Sequence, residues 1–223
     1  MKAVTNIYKT FYYSASFLIG YYLLKDRSLL PPSLGGTGDL RYLHDEFPFV
    51  NFPRGYSLYF AGTMGYHLHG LLHHSFAKKK SHDYMEMILH HLATIYLYGF
   101  SYLTHTMIGG VIAILHDIAD IFVCFTRIWA ESEYKGFTAA TFSFTLIVWF
   151  YTRIYVFSII IYHILNTPVF QVSAFIVPIF AFLLTCLLIL HIYWFILMSK
   201  ILLNFFTFGV AEDTQNKIVN IST

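Results

Sequence analysis

The chain has 223 residues, of which 57% are apolar and 20% aromatic, with 14 Lys+Arg against 12 Asp+Glu and a formal net charge of +2. Soluble domains carry about 25% charged residues, so the composition excludes an ordinary water-soluble globule and points to one compact membrane domain. A charge of +2 without a basic stripe excludes a nucleic-acid surface. Cys124 and Cys186 lie in apolar runs, where they read as small hydrophobes rather than as a disulfide or a zinc site.

Continuous apolar runs predict six spans, at residues 8–24, 56–76, 84–104, 106–125, 137–165 and 175–208. The expected fold is therefore an all-α polytopic membrane protein of about six transmembrane helices. Its expected parts are an N-terminal anchor (1–27), an extramembrane loop (28–55), a helical membrane domain (56–208) and a tail (209–223). The first run lacks a small-residue cleavage site and reads as an uncleaved anchor. The loop carries Pro31, Pro32 and the stretch from Gly35 to Asp39, which is turn chemistry without a phosphate-loop pattern. The last two runs exceed the roughly 30 Å apolar core, so Pro168 and Pro178 are expected to mark a turn and a kink. With both termini inside, the inner segments hold Lys2, Lys9, Lys78, Lys79, Lys80, Arg127, Lys135, Lys200 and Lys217, against Lys25, Arg27, Arg41 and Arg54 outside. That bias favours this orientation. The Lys78–Lys80 loop reads as a topology signal touching lipid headgroups. No repeat is visible, which argues against a transporter built from inverted halves.

Twelve histidines are many for so apolar a chain, and most fall inside spans: His67, His69, His73 and His74 on the second, His90 and His91 on the third, His116 on the fourth, His191 on the sixth. Ionisable groups at membrane depth are costly and default to a functional reading. If the third and fourth spans turn near His105, His90 and Asp120 each lie about 22 Å from the turn at 1.5 Å per residue. His91, His116 and Asp117 lie about 16 to 21 Å from it, so all five meet at similar depth. His116, Asp117 and Asp120 share one face of the fourth helix. A single intramembrane histidine, such as His67, His105 or His163, more often only hydrogen-bonds a neighbouring helix. Arg153 reads equally as a structural clamp paired with a carboxylate and as a ligand contact.

From Asp83 the chain reads DYMEMILHHLATIYLYGFSYLTHTMIGGVIAILHDIAD. This resembles the signature of the TLC-domain proteins, the superfamily of ceramide synthases and translocating-chain-associating membrane proteins. Asp83, Glu86, Met87, His90, His91, Thr94, Ser101, Tyr102, Gly109, His116, Asp117 and Asp120 stand at that family's spacing. The segment WFYTRIYVF around Arg153 and LHIYWFILMSKI around His191 resemble its aromatic-Arg segment and last helix. The chain departs at His105, Ile108, Ala119 and Cys124, where many ceramide synthases have Asn, Arg, Ser and Glu.

The resemblance implies a TLC-type helical bundle that transfers a fatty acyl group from acyl-CoA to the amine of a sphingoid base. It implies no metal and no cofactor beyond acyl-CoA as co-substrate. Chemically, a protonated long-chain amine needs a proton acceptor, and neutral imidazole titrates in the right range. His90 or His91 is expected to be general base or nucleophile, and Asp117 or Asp120 to hold an imidazole in one tautomer. His116 is expected to assist the second proton transfer. Arg153, His191, Tyr102, His73 and His74 are the candidate substrate or lipid contacts. The alternative is an inactive TLC-fold accessory subunit of a larger membrane complex, with the cluster holding a lipid. A di-iron hydroxylase, prompted by HLHGLLHH, lacks the second histidine box it would need. The endoplasmic reticulum is the expected compartment, with the mitochondrial inner membrane as alternative.

Overall fold

The computed structural model describes residues 2–25, 30, 32, 35–40, 51–76, 83–130, 134–167 and 176–208, and every regular element among them is helical. They are α1 (Lys2–Leu24), α2 (Tyr56–Ser75), α3 (Tyr84–Leu103) and α4 (Ile108–Trp129). Then α5 (Lys135–Trp149) runs through a π-helical turn (Phe150–Val156) into α6 (Phe157–Asn166), and α7 (Ile176–Phe208) follows. The Lys78–Lys80 loop, Pro31, Pro168 and the tail 209–223 lie outside the described residues.

Pairwise packing closes these rods into a ring: α1 on α2, α2 on α3, α3 on α7, α7 on α5 and α6, α5 on α4, and α4 back on α1. Large apolar side chains such as Phe11, Leu18, Leu58, Ile147, Phe182, Ile189 and Leu203 point outward and are exposed, as lipid-facing positions are. Three rods are long and apolar enough to cross a membrane: Ile108–Trp129, Lys135–Asn166 and Pro178–Thr207. The other three have the length, at 23, 20 and 20 residues. Their apolar runs are broken by Lys9, by His67, His69, His73 and His74, and by His90 and His91, all of which turn inward to line a cavity.

Two differences from the expected spans have physical reasons. Helix α1 begins at Lys2 rather than residue 8, because its polar first turns face the ring interior, where Thr5 and Lys9 line a cavity. It is also no loose anchor: a Cβ at Gly20 would sit 2.6 Å from the Tyr59 hydroxyl of α2 and 2.9 Å from Ile114 of α4. Pro178 stands in the first turn of α7, where its missing N–H is no loss, so the kink expected there is a helix start. Buried hydroxyls inside the rods return to the carbonyl four residues back, as Thr63 does to Tyr59 (3.1 Å) and Thr152 to Val148 (2.8 Å).

The core is divided unevenly along the ring axis. The larger cluster, with Tyr56, Ile108, Val111, Ile114, Leu115, Phe157, Ile160 and Leu184, lies toward the α3–α4 hairpin. A small one, Ala119, Trp149, Trp194 and Met198, lies toward the opposite, open end. The hairpin is stapled by Ser101, 2% exposed, whose hydroxyl donates to the Thr106 carbonyl (3.0 Å) and accepts from the Gly109 N–H (2.8 Å). His105 takes the left-handed conformation (φ 53°) that lets the chain reverse. A Cβ at Gly109 would lie 2.9 Å from both Ser101 Oγ and Tyr98, so glycine is required for this close approach.

Candidate functional site

Because the hairpin is tight, the two helices it joins run side by side and bring their histidines to one level between the two core clusters. His90 and His91 on α3 are 9% and 6% exposed. Their rings are 5.5 Å apart, and His67 of α2 stands 6.4 Å and 5.9 Å from them. Room for the His91 ring comes from Gly70, where a Cβ would lie 2.7 Å from His91 Cε1. Both ring nitrogens of His91 and Nδ1 of His90 are buried without a hydrogen-bond partner among the described residues. Buried polar atoms are rarely without a partner, so these imidazoles suit a ligand's polar group.

The tautomers of the neighbouring pair, His116 and His191, follow from its partners. His116 Nδ1 donates to the Ile112 carbonyl (2.7 Å), since a carbonyl only accepts. When His116 is neutral its Nε2 is an acceptor, so the 3.1 Å contact to His191 Nε2 is a bond donated by His191. His191, fully buried on α7, is left with Nδ1 as an unpartnered acceptor and with its ring 6.3 Å from His90. Trp149 Nε1 holds the same turn of α7 by donating to the His191 carbonyl (3.1 Å).

The aspartates do something other than the expected imidazole orientation. Asp120 accepts from Arg153 (2.7 Å), and Arg153 also donates to the His116 carbonyl (3.1 Å) and lies over the Trp149 ring (4.3 Å). Arg153, 3% exposed at its side chain, is thus a clamp between α4 and the π-helical turn, although it also borders the larger cavity. Asp117 is buried beside Ser16 of α1, and its Oδ2 has no partner among the described residues. Neither carboxylate hydrogen-bonds an imidazole among those residues, because the Arg153 cation takes Asp120 and the pitch of α4 turns Asp117 toward α1. Tyr102 is likewise away from the cluster: it sits at the hairpin, stacked on Phe60 (4.0 Å) and Phe52 (5.1 Å), with its hydroxyl donating to Ser57 (2.9 Å).

Two internal spaces meet at this level. The open end holds a cavity of about 790 Å³, bordered by Lys9, Arg127, His69, His73, His74, His91 and Trp194. Toward the hairpin runs a narrow cleft of about 50 Å³, walled mainly by Leu97, Ile112, Ala113, Phe180, Leu184 and Leu187. Tyr13, His67, His90 and Asp120 line both spaces and so form the junction between them. His73 and His74 stand on the rim of the wide cavity, while His116 faces the narrow one. Among the described residues no three His, Cys, Asp or Glu side chains are grouped so as to share a metal ion.

Sequence reasoning set His67 aside as a helix-to-helix histidine, yet it lies at the junction; its spacing of seven from His74, one face of α2, was the available signal. Tyr13 and Trp194 carried none. The π-helical turn was also illegible, since one widened turn leaves the apolar pattern intact while placing Thr152 and Arg153 both inward.

The model of the TLC domain matches residues 2–200, from the start of α1 almost to the end of α7. This chain belongs to the TLC domain family. Among curated proteins it is similar to ceramide synthase hyl-2 of Caenorhabditis elegans, 26% identical over 93% of this chain and 65% of that protein. It is 28% identical to ceramide synthase 4 of Mus musculus, over 93% of this chain and 52% of the relative. To ceramide synthase 5 of Homo sapiens it is 27% identical, over 82% of this chain and 48% of the relative. The chain thus spans between about half and two thirds of the length of these relatives. With its long apolar helices, this TLC domain protein is integral to a membrane.

Proposed function

We propose that this TLC domain protein is an N-acyltransferase that moves a fatty acyl group from acyl-CoA to the amine of a sphingoid base. One observation carries the reading: His90, a buried imidazole with an unpartnered nitrogen among the described residues, stands where a wide cavity bordered by charged and histidine side chains meets a narrow apolar cleft, and His91 lies beside it on the wide cavity. Acyl transfer to a lipid amine needs that combination. A polar thioester headgroup suits the wide space, the first carbons of the alkyl chain face the narrow apolar cleft, and the reacting carbonyl falls at the junction. The similarity to proteins named ceramide synthases supports the substrate class.

In this reading His90 or His91 attacks the thioester carbonyl or takes the proton from the incoming ammonium, either role needing a free lone pair. The His116–His191 pair stands behind His90 and keeps an acceptor nitrogen turned to the interior. The Asp120–Arg153 pair holds α4 and the π-helical turn in register, a positioning role. Lys9 and Arg127 border the wide cavity together with Asp83 and the Asp120–Arg153 pair, and Lys9 is the side chain proposed to meet a phosphate-bearing headgroup there. We further propose the endoplasmic reticulum membrane as its compartment, the location that the family resemblance implies.

The test is purified full chain in lipid nanodiscs, given labelled acyl-CoA and sphinganine. Formation of the labelled N-acyl base is the expected result. Absence of product from a folded protein, with lipid retained through purification, would replace the enzyme by a lipid-holding module.

A further inference from the structure

The histidines of α2 are absorbed neither by the acyl-transfer chemistry nor by a metal site. They form a line. His91 is followed by His74 at 5.4 Å between ring centroids, His74 by His73 at 5.7 Å, and His73 by His69 at 6.1 Å. Behind His91 the line continues inward through His90 (5.5 Å), His191 (6.3 Å) and His116 (4.8 Å). Seven imidazoles thus stand in series, from fully buried His191 near one end to exposed His69 and His73 at the other. The outward rings border the 790 Å³ cavity, and no N–H···N bond joins them among the described residues, so each outward step passes through water of that cavity and the first one needs the His91 ring to turn toward it. Polarity is set at the first outward step. His74 Nδ1 donates to the Gly70 carbonyl (2.9 Å), which leaves Nε2 as the acceptor when the ring is neutral.

The reaction under "Proposed function", on which this inference rests, needs such a line. An ammonium and a thioester become an amide and a thiol: the N–C bond forms, the C–S bond breaks, and nitrogen loses two protons. One goes to the thiolate sulfur. The other must leave a site where His90 and His91 are only 9% and 6% exposed and neither ring is hydrogen-bonded to a carboxylate among the described residues.

We propose that His74, His73 and His69 are a proton exit path, carrying the proton released by amine acylation from His91 to the aqueous end of the wide cavity. Imidazole suits the task because a free ring nitrogen takes up a proton and gives it back; at His74, whose Nδ1–H is held by the Gly70 carbonyl, both happen at Nε2. The three side chains are positioning and relay groups; they do not touch the reacting carbonyl.

The experiment compares wild type with His74→Gln and His73→Gln in nanodiscs, with and without free imidazole in the buffer. Glutamine keeps a hydrogen-bonding side chain and cannot relay a proton. The expected result is a drop in kcat of roughly tenfold, below the ~10²–10⁴ of a group acting in the transition state itself. KM for acyl-CoA stays unchanged, free imidazole restores turnover, and the solvent deuterium isotope effect rises. His73 is exposed, so its variant folds even where His74→Gln does not. His105→Asn, at the far hairpin, serves as control and keeps full turnover. Unaltered kcat in His73→Gln, or a loss that imidazole does not restore, overturns the relay while leaving acyl transfer standing. No turnover by wild type overturns both, because the path then has no proton to carry.

Discussion

The two ends of the helical ring solve opposite problems. At the hairpin end the larger hydrophobic cluster, the Ser101 staple and the Phe52–Tyr56–Phe60–Tyr102 stack leave little room. At the open end a small cluster gives way to a large cavity bordered by His67, His90 and His91, each with a buried ring nitrogen that has no partner among the described residues. A bundle needs only the first kind of packing to stand. The second kind leaves buried polar atoms unpaired at about 1–3 kcal/mol each, a cost borne where a ligand is to be met. The contrast separates residues that hold the ring from residues that act inside it.

Substitutions can break this separation, beginning with the largest expected effect. His91→Ala should lower acyl transfer by about 10²–10⁴-fold while leaving thermal unfolding of the solubilised protein nearly unchanged, because the ring makes no hydrogen bond among the described residues. A large fall in the melting midpoint would move His91 from the acting set to the holding set. Arg153→Met should do the reverse. It strands Asp120 inside the ring and should destabilise by about 3–5 kcal/mol, and Asp120→Leu in the same chain should return much of that loss. Unfolding curves of the two singles and the double read the coupling directly.

Smaller effects sharpen the picture of the hairpin end. Gly109→Ala forces a Cβ against Ser101 and Tyr98 and should cost about 1–3 kcal/mol. Tyr102→Phe removes one exposed hydroxyl bond to Ser57 and should cost about 0.5–1.5 kcal/mol or less, with turnover unaffected. Loss of activity in Tyr102→Phe at unchanged stability would return that residue to the site from which its position removes it.

What was legible in the sequence follows the same division. Runs of apolar residues announced every rod of the ring, and a ruler of 1.5 Å per residue from His105 put His90, His91, His116, Asp117 and Asp120 at one depth. Rotation about each helix axis was not legible, and rotation decides partners. Asp120 and His116 share a face of α4, but whether that face meets an imidazole or a guanidinium depends on how the rod Lys135–Asn166 is turned. One widened turn at Phe150–Val156 settles it by aiming Arg153 inward, and no pattern of residue types marks such a turn. The polar start of α1 was missed for a related reason. An apolar-run criterion assumes that a membrane helix faces lipid all round, whereas Thr5 and Lys9 face an internal cavity.

The central claim is that His90, at the junction of the two cavities, and His91 beside it on the wide one carry out acyl transfer. Its most direct test is product formation from labelled acyl-CoA and sphinganine by wild type, His90→Ala and His91→Ala, each protein first shown to unfold at the same temperature. The account predicts N-acylated base from wild type and a loss of at least about 10²-fold in one or both variants. Equal turnover by all three proteins, or none by a folded wild type, would contradict it.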